Sequence, residues 1–460
     1  MLASDKMTQN KSYLIQLFII ISLLYSCKND KTSPMETDRV VDDYTYETSE
    51  DPHAPNVRDE WKNWIQVNHS RIESLDSDNF TDLYFLDEFI NGKSLVLLGE
   101  VAHGIAEQNR LRVRIIKYLH QEHGFNVVAF ESGLYDCYFT DRAFQGMNNT
   151  KVLENALYPF WNTMDLWNLI EYIRHSFSDL NPMHIAGFDF HSTGTMSLTR
   201  PQFFKDMTVK IDSSFSDTIF ETDKIIVQRR TNRDYVNDYI VQNYEVVYAL
   251  YQDLVDLITN NTDVLGQYYD EETLLVAGEV AVSVSQYILS RSVTQSYIIR
   301  DKRMAENVKF LKEVLYPGQK MIIWSHNGHI QKDLRSVAVL PGGYYYTGNN
   351  MGYWLHQHYG QEMYAIGSLA YRGHINYGLV QDINITADES IEAILYQARR
   401  KYFFIDLNRQ TETEGNSWMF QPVTQSYIHR ESPCDILYIP NDQYDGLFFI
   451  DTVSEPQYLY

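Results

Sequence analysis

The run Leu95-Val-Leu-Leu-Gly-Glu100-Val-Ala-His103-Gly104 is apolar for four residues without polar alternation, then stops at a glycine, a carboxylate and a histidine. A short run of that kind reads as a strand buried on both faces, the type found in parallel sheets covered by helices. The pattern recurs. Val127-Val-Ala-Phe130 runs into Glu131, His184-Ile-Ala-Gly-Phe188 into Asp189, and Met321-Ile-Ile-Trp324 into Ser325-His326-Asn327-Gly328-His329. Ligands of such sheets collect at the carboxyl ends of the strands, so four strands that end in an acid or a histidine point to one polar pocket. Helical spacing at Leu111, Ile115, Ile116 and Leu119, stopped by His123-Gly124, places a helix between the first two strands. Strand, helix, strand is a βαβ unit, with a parallel pair and a right-handed crossover.

The 460 residues leave ample material for a core, and 44% hydrophobic with 22% charged residues exclude wholesale disorder. A formal charge of −23 excludes a nucleic-acid surface, which needs clustered Lys and Arg. At the amino end, Lys6 and Lys11 precede an apolar run from Leu14 to Leu24, too short to span a bilayer comfortably but suited to a signal-peptide core. It ends Leu24-Tyr-Ser-Cys27, similar to the lipobox of bacterial lipoproteins, in which the cysteine is lipidated; Met7 is an alternative start. The expected organisation is a signal peptide over residues 1–27, an acidic, proline-interrupted tether over 28–60, and an α/β domain over 61–460. The expected fold has a largely parallel central sheet flanked by helices, with a helical insertion at about 200–316, where strand signals give way to spacings such as Tyr244, Val247, Leu250, Tyr251 and Leu254. The expected location is the cell envelope, with the membrane met only through lipid on Cys27. Cys137 and Cys434 then remain, too few for a disulfide scaffold and without the CxxC spacing of zinc sites.

Several catalytic machines are missing: Gly-x-Ser-x-Gly, His-Glu-x-x-His, Gly-x-Gly-x-x-Gly and Walker A. Glu100-x-x-His103 can do acid–base work, because a carboxylate beside an imidazole raises its basicity and sets its tautomer. Arg112, on the following helix, is either a surface ion-pair partner or a cation for a carboxylate or oxyanion. Glu131, at a buried strand end, must face cations, histidines or water. His326 and His329 share a face if their segment is helical, and could hold a metal or a substrate oxygen. His120-Gln-Glu-His123 has metal-like spacing, but its place at a helix end predicts exposure.

Together these blocks resemble the erythromycin esterase family. Gly99-Glu100-Val-Ala-His103-Gly104, Arg112 and Gly124-Phe125-Asn-Val-Val-Ala-Phe-Glu131 carry the likeness first. Ala186-Gly187-Phe188-Asp189, Arg300-Asp301-x-x-Met304-Ala-x-Asn307, His326-Asn-x-His329, and Met351-Gly352 before Tyr364-x-Ile-Gly367 continue it in order. The resemblance implies hydrolysis of a small-molecule ester or lactone by an activated water, without a covalent intermediate, metal or other cofactor. A macrolide substrate would make this an antibiotic-resistance enzyme. The resemblance makes His103 the general base and lines the pocket with Glu100, Arg112 and Glu131. His326, His329 and Asp189 are assigned to substrate binding, with Arg112 and the two histidines meeting the developing oxyanion. Two alternatives use the same pocket: a metal-dependent hydrolase or protease, and a non-catalytic haem- or glycan-binding lipoprotein.

Overall fold

The computed structural model describes residues 54–178, 181–339, 348–378, 380–427 and 434–459; the signal segment, Cys27 and the tether up to residue 53 lie outside the described residues. The strands are β1 (Ser70–Arg71), β2 (Leu95–Glu100), β3 (Phe125–Gly133), β4 (His184–Asp189), β5 (Lys320–His326), β6 (Ala338–Val339), β7 (Met363–Asn376), β8 (Val380–Asn384), β9 (Tyr402–Asp406), β10 (Val423–Tyr427), β11 (Cys434–Tyr438) and β12 (Gly446–Val453). The main sheet runs β1-β9-β12-β7-β2-β5-β3-β4, with β8 hydrogen-bonded to β7. Its six strands from β12 to β4 are parallel. β9, β1 and β8 are antiparallel additions. β10, β11 and β6 form a separate antiparallel sheet, in the order β10-β11-β6.

Leu95 to Leu98 and Met321 to Trp324 are all buried, because β2 and β5 lie inside the sheet with helices on both faces. From β2 the chain passes through the helix Ala106–His123 to β3, leaving a gap that β5 later fills; β7 then pairs with the other edge of β2. The strand order therefore reverses beside β2 and β5, the kind of point at which open parallel sheets bind ligands, and Glu100 and His326 are paired in register at these strand ends. Two glycines shape this end. A Cβ on Gly99 would lie 2.1 Å from Asn327 Oδ1. That amide bonds the Ser368 backbone (Nδ2 to O 2.8 Å, Oδ1 from N 3.2 Å), continuing the cross-link past Ile366, where β2 stops pairing with β7. Gly104 has φ +75° and sits where a Cβ would be 2.1 Å from the Asn376 carbonyl oxygen.

Residues 190–319 contain no strand. Helices from Arg200–Thr208 through Glu271–Ser290 to Ser296–Phe310 fill this stretch. Glu271–Ser290 is long and apolar enough to cross a bilayer, but 67% of its most apolar window is buried, which marks a core helix. Packing begins before residue 61. Asn56 N–H donates to Asp388 (2.8 Å) and Arg58 pairs with Glu389 (2.8 Å), so residues 54–60, read above as tether, dock on the body. His120 is also not exposed: its helix packs against Met164–Ser176, and its ring lies between the Tyr172 hydroxyl (2.6 Å) and the Asn181 carbonyl (2.9 Å). Cys137 is a buried free thiol, 3.5 Å from the Ala156 carbonyl.

Candidate active site

Glu100, the last residue of β2, is 1% exposed, and its two oxygens have separate tasks. Oε2 accepts from Arg112 Nη1 at 2.7 Å; Oε1 meets His103 Nδ1 in a short hydrogen bond. Burial alone would raise the Glu100 carboxyl, but the Arg112 guanidinium and the His103 ring outweigh it and hold it at about 2. An ionised carboxylate only accepts, so Nδ1 of a neutral His103 must carry the proton and Nε2 the lone pair. Among the described residues no protein group bonds that Nε2. The His103 side chain keeps 21% of its surface open. One face stacks on Phe160 (centroids 4.1 Å apart, 20° between planes), and the rings of Trp161 and Tyr377 stand nearly perpendicular to it with centroids 5.9 and 6.0 Å away.

Arg112 does not face a developing oxyanion. It is 2% exposed, its guanidinium lies 4.4 Å over the Trp324 ring, and Nε donates to the Gln108 carbonyl at 3.2 Å. Its work is to keep Glu100 ionised and in place.

A second cluster forms between β3, β4, β5 and the helix Ser296–Phe310. β3 gains one residue on β4 between Phe130 and Gly133, and this bulge holds Glu131. Glu131 Oε1 accepts from Arg300 Nη2 at 2.7 Å, and Oε2 accepts from the Ser325 hydroxyl (2.7 Å) and the His326 N–H (3.1 Å). Arg300 also grips Asp189, Nε to Oδ1 at 3.1 Å and Nη2 to Oδ2 at 2.7 Å. Asp189 is 1% exposed and holds Arg300 rather than reaching a substrate. Burial opposes the charge on both carboxylates, yet His329 and Arg300 hold Glu131, and Arg300 and His191 hold Asp189, well below the usual range. His329 Nδ1 donates to Asp301 Oδ1 at 2.7 Å. Burial would lower this imidazole, but Asp301 and Glu131 push it up to about 10, so it is a cation at neutral pH.

His326 caps the short helix Asn327–Ile330. Its Nδ1 accepts from the Gly328 N–H at 3.1 Å, so Nε2 carries the proton and donates to the Val101 carbonyl at 3.0 Å. With both nitrogens on backbone, His326 ties the end of β5 to the loop that carries His103 and has no spare N–H for a substrate oxygen. Its ring is 5.9 Å from that of His103 and 6.5 Å from that of His329. Burial, then the neighbouring His103 and His329, bring it down to about 3. The free imidazole titrates near 6.5, so the unfolded chain takes up a proton that the folded His326 refuses. Stability should therefore fall as the pH drops from about 6.5 towards 3. Melting temperatures between pH 7 and 4 should show this limb, shallower in His326→Asn, whose amide can still cap the helix. Superimposable limbs would refute it.

The structure thus brings Glu100, His103, Arg112, Glu131, Asp189, His326 and His329 to one end of the sheet, with only His103 both unbonded at a ring nitrogen and open to solvent. Reading the residues alone missed Arg300, Asp301, Ser325 and Phe160 as members. Arg300-Asp301 carried a signal, two charges ahead of the apolar helical spacing of Met304, Val308 and Leu311; Phe160 carried none. The metal alternative finds little support in the donors: no three His, Cys, Asp or Glu side chains among the described residues are placed to share an ion.

A family model described as erythromycin esterase matches residues 120–453. A Bacillus subtilis (strain 168) protein described as "Putative hydrolase YbfO" is 26% identical over 423 residues, covering 86% of this chain and 91% of its own length. "Erythromycin esterase type II" of Escherichia coli is 21% identical over 440 residues, 87% of this chain and 99% of that protein. The solved structure of a mutant of the erythromycin esterase EreC, in its open conformation, superposes with a TM-score of 0.62 at 15% identity, over 85% of this chain and 98% of the other. At that identity the structural likeness is one of fold.

Proposed function

The chain belongs to the erythromycin esterase family of hydrolases, and on that premise we propose that it cleaves an ester or lactone with a water activated by His103. The observation that carries this reading is the division of labour on one imidazole: Nδ1 is committed to an ionised, Arg-held carboxylate, and Nε2, on a side chain that keeps 21% of its surface open, is left with its lone pair unbonded by any described residue. A water bonded to Nε2 gives it a proton and attacks the carbonyl carbon. Collapse of the tetrahedral intermediate breaks the bond to the alkoxy oxygen, and the imidazolium returns its proton to that leaving oxygen. Glu100 holds the tautomer and steadies the transient imidazolium. The oxyanion is assigned to Arg300, the guanidinium of the second cluster, whose side chain keeps 19% of its surface open. Acid release from a panel of neutral esters and lactones tests the reaction class. A folded protein that releases none would overturn it.

The envelope location rests on the lipobox-like Leu24-Tyr-Ser-Cys27 and the acidic segment after it. Each buried methylene of an acyl chain contributes about 0.8 kcal/mol, and stable anchoring takes more than one chain. Cys27→Ser should move the protein from the membrane fraction to the soluble one, or stall it unprocessed, with its specific activity kept. Wild-type protein found wholly in the cytosol would refute the anchor.

A further inference from the structure

Residues 454–459, after β12, cross the loops that surround His103 and bond to each of them. Ser454 accepts the Ala106 N–H at 2.9 Å, and both its N–H and its hydroxyl donate to the buried Glu107 carboxylate at 2.7 Å, in the first turn of the helix that follows the His103 loop. Glu455 accepts from the Asn376 side chain at 2.7 Å, and the Tyr458 hydroxyl donates to the Asn376 carbonyl. Tyr458 forms an antiparallel bridge with Thr163; on either side of it, Gln457 accepts the Met164 N–H (2.8 Å) and Leu459 donates to the Asn162 carbonyl (2.9 Å). The circuit closes at Gly104, whose carbonyl accepts the Asn376 N–H at 3.0 Å.

Each loop held this way supplies part of the His103 environment: the imidazole itself from the loop after β2, Phe160 and Trp161 from the loop before Met164, and Tyr377 from the end of β7. We propose that this strap is the positioning device of the catalytic imidazole, with Tyr458 and Glu107 as positioning residues. Loops of such different origin open independently unless something couples them, and a displacement of about 1 Å at a reacting group costs on the order of 10²-fold in rate. The strap couples all three through backbone and side-chain bonds at the rim, while β2 and β5 hold the base of the site.

Hydrogen exchange of the full-length protein tests the coupling directly, with Tyr458→Phe and Glu107→Gln as mild variants that keep side-chain shape. Losing one such hydrogen bond should speed exchange in the loops by about 2- to 10-fold. The amides of residues 101–105, 160–164 and 376–378 should accelerate together, with β2 and β5 unchanged. Acceleration confined to residues 454–459, or equal across the whole protein, would overturn the proposal. The kinetic arm rests on the hydrolase reading: on an ester that the wild type cleaves, kcat should fall in step with loop exchange while KM changes less. Loosened loops with unchanged kcat would overturn the positioning role. If no ester is cleaved but the loops loosen together, the coupling stands and the hydrolase reading fails.

Discussion

His103→Ala should lower kcat/KM by about 10²- to 10⁴-fold on whichever ester or lactone the wild-type protein cleaves, with the melting temperature within a few degrees. The loss is large because the other polar groups nearby are already committed. Glu100 is held by Arg112, and both nitrogens of His326 are bonded to backbone. The fold survives because the His103 side chain is 21% exposed and its bond to Glu100 is its single side-chain hydrogen bond among the described residues, while Glu100 keeps its ion pair with Arg112. Steady-state kinetics beside calorimetry on the same preparation makes the comparison. Full activity in the variant would show that the base lies elsewhere. Glu100→Gln is the companion: it preserves shape but leaves Arg112 buried without a counter-charge, so both rate and stability should fall.

Arg300→Leu should cost about 3–5 kcal/mol of folding stability, the usual result of removing one partner from a buried ion pair. This guanidinium is shared by two carboxylates, Glu131 and Asp189, with side chains 7% and 0% exposed. Without it Asp189 keeps, among the described residues, Tyr158 (3.3 Å) and His191 (N–H 3.3 Å, ring 3.2 Å), and burial disfavours its charge. Arg300→Lys should recover only part of the loss, since an ammonium cannot bond both carboxylates through a planar fork. Urea midpoints for the three proteins decide this. A Leu variant within about 1 kcal/mol of wild type, a range typical of exposed pairs, would show that the cluster contributes no more than a surface ion pair.

The parts of this protein legible along the chain share one property: the signal is local. β2 and β5 announce themselves because strands buried on both faces need unbroken apolar runs, and Gly124 ends the helix Ala106–His123 with φ +67°, as a left-handed cap requires. Glu100 and His103 are three residues apart, so their pairing is set by the turn that follows β2. Even the gathering of Glu131, Asp189 and His326 near them follows from strand direction, because the carboxyl ends of parallel strands meet at one edge.

The roles of those residues came from tertiary structure. Arg300 reaches Asp189 across 111 residues and Glu131 across 169, a pairing set by how the helices between β4 and β5 close over the sheet. Arg112 proved to be a buried support, its donors claimed by Glu100 and Gln108 under the Trp324 ring, and His326 a backbone tie, its N–H claimed by the carbonyl of Val101, 225 residues away. His120 was misread for the same reason: a helix end looks exposed until another helix packs on it. Phe160, Tyr377 and the strap of residues 454–459 carry no local mark at all. Periodicity and caps encode which residues are buried and where each element stops, since those depend on the chain's own geometry. Which charge meets which, and which ring nitrogen is left open, depends on contacts that exist only once the distant segments have closed.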